Sequence, residues 1–188
     1  NDNLKFYLLL FFAMLFWGLS WSNAKILGSY YPPFTIMFWR CLFATIILIP
    51  FILKFRINWT KIKNQLVRLL FASVLLTLYN YCYFKGTQLG VAGIGGVLVT
   101  TMVPILTTIL STIIFKTKIN KNVKLGISLG LLSGIILLKL WEYDIDTLIL
   151  SGNIFFISGA ILWSILTILT QKITIEIPSL HFSFLVFL

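Results

Sequence analysis

Six apolar runs of about 20 residues, separated by short polar links, constrain this chain more than any single motif. At 1.5 Å of rise per residue, such a run crosses about 30 Å as a helix, the thickness of a hydrocarbon core. In lipid every backbone N–H and C=O must be paired within the protein, so a spanning segment is a helix or part of a closed barrel. Barrel strands need only about 9–11 residues of alternating polarity, which these runs lack. Helices are expected at about 5–26, 34–53, 66–85, 91–115, 123–141 and 148–171, with a seventh starting near Ser179. A composition of 59% hydrophobic and 11% charged residues, with a mean hydropathy of +0.99, leaves too little polar surface to coat a soluble globule. The fold class is all-α integral membrane, a multi-spanning helical bundle.

A net charge of +10 invites a nucleic-acid reading, but the basic residues lie between the spans. No nucleic-acid partner is expected; the partner of this surface is the lipid bilayer. Lys54, Arg56, Lys61, Lys63 and Arg68 follow the second run, and Lys116, Lys118, Lys121 and Lys124 follow the fourth. The positive-inside rule puts both links in the cytoplasm, together with Lys5 at the N-terminus. With Lys172, eleven of the fifteen basic residues are then cytoplasmic. Glu142, Asp144 and Asp146 fall in an outer link, and Tyr30, Tyr31, Trp141 and Tyr143 at the outer interface. The expected location is the cytoplasmic membrane, of the bacterial inner-membrane kind. Cys41 and Cys82 lie inside apolar runs and read as packing residues. No signal peptide is identifiable, and both ends, Asn1 and Leu188 within an apolar run, read as cuts.

The sixth helix echoes the first: Trp17, Lys25 and Pro33 recur at near-equal offsets as Trp163, Lys172 and Pro178, and Gly18 is answered by Ser164. Five intervening helices, an odd number, invert the second copy relative to the first, a common plan of secondary transporters. Residues 1–146 read as a first five-helix repeat and 147–188 as the start of a second.

Charged and polar side chains within the spans are the functional candidates. Trp17, Trp21 and Lys25 share one stripe of the first helix, and Arg40 lies about two turns into the second. Lys25 snorkelling to headgroups and Arg40 capping carbonyls are the plainer alternatives. Asn80 shares a face of the third helix with Thr77 and Phe84, beside Tyr79 and Tyr83; its amide orients a polar ligand or bonds a neighbouring helix. The fourth helix runs from Gly93, Gly95 and Gly96 through Thr100 and Thr101 to Pro104, which frees the Thr100 carbonyl. Gly93, Gly96 and Pro104 are the hinge candidates, against close packing alone. Gly126, Gly130 and Gly134 form a GxxxGxxxG stripe suited to packing within the protomer or in a homodimer.

All five acids, Asp2, Glu142, Asp144, Asp146 and Glu176, sit at ends or in links, and His181 is the sole histidine. No catalytic set, metal cluster or phosphate-cradling loop can be assembled, so neither an enzyme nor a cofactor is expected. The segments "LFWGLSWSNAKIL", "YYPPFTIMFWRCLFA", "NYCYFKGTQLGVAGIGGVL", "TTMVPILTTILSTIIF" and "GISLGLLSGIILL" resemble, in order and spacing, the EamA-type permeases of the drug/metabolite transporter superfamily. The resemblance implies ten helices in two inverted five-helix halves, both termini cytoplasmic, and ATP-independent alternating access for small metabolites such as amino acids. Where the family usually has a Gly-Glu pair after the fourth-helix proline, Lys116 and Thr117 stand here.

The expected function is a secondary transporter of small metabolites. Its cavity would be lined by Trp17, Asn80, Tyr83, Thr100, Thr101 and Trp163, with Lys25 and Arg40 making the outer half electropositive and favouring anionic or zwitterionic solutes. A multidrug exporter and a non-transporting receptor or assembly protein are the alternatives; the first would want an intramembrane carboxylate.

Overall fold

The computed structural model describes residues 2–55, 59–116, 119–142 and 152–188. Those residues are all-helical: α1 (Asp2–Gly28), α2 (Pro33–Lys54), α3 (Trp59–Asn64), α4 (Leu66–Leu89), α5 (Ala92–Phe115), α6 (Lys121–Leu138), a 3-10 turn (Leu140–Glu142), α7 (Ile154–Thr174) and α8 (Ser179–Phe187). Five of them, α1, α2, α4, α5 and α7, are long and apolar enough to cross a membrane. At 18 residues, α6 rises about 27 Å and is shorter than the expected run at 123–141, because Lys139 turns into the left-handed region at φ 48°. The expected outer-link residues Tyr143, Asp144 and Asp146 lie outside the described residues, as do Arg56, Lys118 and positions 148–151. The basic link after α2 contains the one-and-a-half-turn helix α3.

Local chemistry sets the helix ends. Pro33 occupies the first turn of α2, where its missing N–H is not needed, and Pro32 is extended before it. Asn120 caps α6 by accepting from the Asn122 N–H. Hydroxyls in the spans fold back on their own helices: Ser73 donates to the Leu69 carbonyl, Thr77 to Ser73, Thr108 to Pro104 and Thr167 to Trp163. Each of these four hydroxyls is thereby paired without a neighbouring helix.

Packing centres on α4 and α7, which touch each other; α5 and α1 lean on the pair, and α2 packs with α8. Within its most apolar stretch, 39% of α4 is buried against 6% of α1, so α4 is the axis of the bundle. Phe156 of α7, 1% exposed, fills a slot between Gly86 of α4 and Gly95 of α5, with the Trp21 ring 5.9 Å away. A Cβ at Gly86 or Gly95 would stand 2.6 or 2.4 Å from that ring, so both positions need glycine for close approach. Of the glycine stripe on α6, Gly134 meets Thr101, while Gly126 and Gly130 face open space.

Candidate functional site

The C-terminal half of α1, the N-terminal half of α2 and the C-terminal half of α4 border an open-sided cavity of about 710 Å³, within the range of small-molecule sites, with Arg40 exposed on its wall. Ser20, Asn23, Thr35, Trp39, Arg40 and Tyr83 contribute to its wall. The outer cavity takes its name from the orientation expected from the charge bias between the links. The Arg40 guanidinium carbon lies 5.6 Å from the centroid of the Tyr83 ring and 5.7 Å from that of Phe84. Such cation–π contacts are worth about 0.5–2 kcal/mol, well short of the hydration an intramembrane cation gives up. Among the described residues Arg40 has no hydrogen bond and no ion pair; the salt bridge described there joins Lys139 to Glu142 at 3.1 Å. Tyr83 is held in place by its hydroxyl, which donates to the Ser20 carbonyl at 2.9 Å, and by Trp21, whose ring meets it edge-on at 4.6 Å.

Lys25 is spent elsewhere. Its Nζ donates to the carbonyls of Gln88 (3.1 Å) and Gly90 (2.7 Å) at the C-terminus of α4, where the helix dipole favours a cation. Gln88 returns the contact by donating from Nε2 to the Gly28 carbonyl at 2.8 Å, so the outer ends of α1 and α4 cap one another. Trp17 is 44% exposed, whereas Trp21, one turn on, is buried; the interior member of the first-helix stripe is Trp21.

A second, inner cavity of about 240 Å³ lies between α4, α7 and α8, walled by Leu76, Trp163, Thr167, Thr170 and Ser183 among others. The Trp163 ring packs on Tyr79 at 4.5 Å, and Tyr79 stacks with Tyr83 at 6.2 Å, so an aromatic series leads from one cavity to the other. Asn80 stands beside this series, 2% exposed, and its Oδ1 has no hydrogen-bond partner among the described residues. A sealed, unpaired amide oxygen costs about 1–3 kcal/mol.

Of the sequence candidates, Arg40 and Tyr83 thus share the outer cavity, Trp163 lines the inner one, and Asn80 lies on α4 between residues of both. Trp17, Lys25, Thr100 and Thr101 are on neither wall. Thr100 donates to the Gly96 and Val97 carbonyls of its own helix, and Thr101 packs beside Gly134. Among the hinge candidates, Gly93 has open space around it, Gly96 meets the Trp21 ring at ordinary contact distance, and Pro104 sits inside a helix that continues to Phe115. Ser164, buried on α7, donates to the Ala160 carbonyl of its own helix at 2.7 Å and lies 3.3 Å from Val103 O of α5, beside the proline.

Sequence reasoning missed Phe156, because a phenylalanine in an apolar run carries no signal of its own. The usable signal was Gly86, a glycine inside a helix, which marks a close approach. Among the described residues no group of three or more His, Cys, Asp or Glu side chains could hold a metal ion, and both cysteines are free.

Comparison with curated proteins and with solved structures gave no match. The EamA-like transporter family model matches residues 4–139, nearly three quarters of the chain and everything from α1 to the end of α6. Five apolar helices of spanning length, an all-helical bundle and that match make the chain a multi-pass membrane protein of the EamA-like transporter family, the non-enzymatic permeases of the drug/metabolite transporter superfamily.

Proposed function

We propose that this permease moves small anionic or zwitterionic solutes, amino acids among them, across the cytoplasmic membrane by alternating access, and that the outer cavity receives the solute's carboxylate. The observation that carries the reading is Arg40: a fixed cation on the wall of a cavity of about 710 Å³, with aromatic faces around it and no acid or hydrogen-bond partner among the described residues. A fixed positive field attracts carboxylates and raises the energy of a lipophilic cation, which disfavours a multidrug exporter of cationic drugs.

The inverted-repeat reading belongs to the same proposal. It is supported by α1 and α7 both packing on α4 and α5, and by a proline at the start of the helix that follows each, Pro33 for α2 and Pro178 before α8. Residues 1–146 are then one repeat, 147–188 open the second, and the working cavity is completed by the rest of that second repeat. Gly126 and Gly130 leave a face of α6 open to a second helix, consistent with a homodimer.

The test is flux in proteoliposomes of full-length protein with carboxylate-bearing and neutral solutes. Arg40→Gln is expected to cut carboxylate transport at least about tenfold, and Arg40→Lys, which keeps the charge but loses the bidentate fork, to fall between. Equal transport of both solute classes by wild type and Arg40→Gln at matched expression would make the charge structural.

A further inference from the structure

Along one face of α4, Leu76, Asn80 and Phe84 follow at one-turn intervals, with Tyr83 beside Phe84. Leu76 walls the inner cavity, and Phe84 and Tyr83 wall the outer one. Asn80 therefore occupies the turn between the two, about 6 Å along the helix from each. A solute that passes from one cavity to the other along α4 passes this turn. Three hydroxyls on the same helix are already engaged: that of Tyr83 with Ser20, that of Thr77 with Ser73, and that of Thr87, further up the helix, with Phe84. The Asn80 Oδ1 is buried and accepts from no described residue. An acceptor sealed at that level without a donor is a cost to the resting state, and a donor arriving with the solute removes it.

We propose that Asn80 is a specificity-determining residue that selects solutes carrying a hydrogen-bond donor, foremost an ammonium group, in addition to the carboxylate read by Arg40. The inference rests on the anion-binding reading of Arg40 and narrows its substrate class from anions in general to zwitterions. Arg40 disfavours solutes that are only cationic, and Asn80 favours those that bring a donor as well as the carboxylate. A bare carboxylate entering the turn can meet only the amide NH2 group and leaves the amide oxygen unpaired, whereas an ammonium or amide N–H satisfies that oxygen.

The experiment uses the full-length protein in proteoliposomes and matched solute pairs: leucine with 4-methylpentanoate, phenylalanine with 3-phenylpropanoate, and glutamate with glutarate. Wild type is expected to move at least one amino acid about 10- to 100-fold faster than its des-amino partner, the range for a hydrogen bond to a charged group. Asn80→Leu should bring that ratio close to one, chiefly by slowing the amino acid. Asn80→Asp, which keeps an acceptor, should preserve or raise it.

Thermal stability separates this role from a packing one. Losing an unpaired buried amide should leave the melting temperature of Asn80→Leu equal to or above wild type, while an interhelical hydrogen bond would make it fall. If Asn80→Leu does not fold, the Asn80→Asp ratio decides alone. An unchanged ratio in Asn80→Leu, a lost ratio in Asn80→Asp, a fall in melting temperature of a folded Asn80→Leu, or des-amino acids moving as fast as amino acids in wild type would each overturn the inference. Transport of the des-amino acids with Arg40 dependence would leave the anion reading standing, whereas transport of neither class would remove that reading as well.

Discussion

Replacing Gly95 by alanine adds one methyl group where the structure has no room for it. The new Cβ would lie 2.4 Å from Cζ of Phe156 and 2.5 Å from Cε1, so a separation of about 3.6 Å requires the ring to retreat by about 1 Å. Its retreat is blocked, since the same ring already lies close to Gly86 on α4, where an added Cβ would be 2.6 Å away, and the residue is 1% exposed. Overpacking of this kind costs about 1–3 kcal/mol, from which the better helix propensity of alanine recovers about 0.5–1 kcal/mol. For a chain of this size each kcal/mol moves the melting temperature by about 2–4 °C, so Gly95→Ala should melt several degrees below wild type in detergent, followed by tryptophan fluorescence. Gly93→Ala is the internal control: the same substitution two residues away, with nothing within 4 Å of the new methyl, should leave stability equal or higher. A double-mutant cycle completes the case. In a Phe156→Leu background Gly95→Ala should cost at least about 1 kcal/mol less than in wild type, because the atom it strikes is gone. Additive effects, or equal melting temperatures for the two alanine variants, would refute the slot.

Two further outcomes follow from the geometry. Pro104→Ala restores the N–H that the Thr100 carbonyl lacks, and is expected to slow transport with expression near wild type if α5 bends during the cycle; unchanged flux reduces the proline to packing. Lys25→Met removes two hydrogen bonds and a cation from the C-terminus of α4 and should lower stability by about 1–3 kcal/mol in thermal unfolding, while the ratio of anionic to neutral flux stays as in wild type; a collapse of that ratio would return Lys25 to the vestibule.

The spans were legible because length and hydropathy are set by the bilayer: α1, α2, α4 and α5 lie within four residues of their expected bounds, while α7 starts at Ile154 rather than 148, with positions 148–151 outside the described residues. Rotation about the helix axis was not. A helix that is apolar all round gives no moment to say which face turns inward, so the stripe Trp17, Trp21, Lys25 identified neighbours on α1 without showing that Trp21 is buried and Trp17 exposed. Arg40 was legible as a candidate because a charge within a span is rare whatever its orientation. Lys25 was ambiguous for the opposite reason: near a helix end, a lysine can reach headgroups, a cavity or a neighbouring helix terminus, and only the position of Gln88 and Gly90 decides among them. The Thr100 hydroxyl is satisfied by its own backbone, which serves a threonine in a span as readily as a ligand does, so its presence in the sequence does not mark a cavity wall.

The glycine slot also has a consequence for biosynthesis. Its two walls, Gly86 and Gly95, leave the ribosome about 60 residues before the Phe156 ring that fills it, which at about 5–20 residues per second is an interval of about 3–12 s. During that interval α4 and α5 carry an open notch inside the bilayer, accessible to lipid chains or to a helix from another nascent protein. The arrival of α7 closes it. Docking of Phe156 therefore completes the slot last, and variants that spoil it should accumulate to lower abundance at unchanged synthesis, with the melting comparison made on the protein that survives.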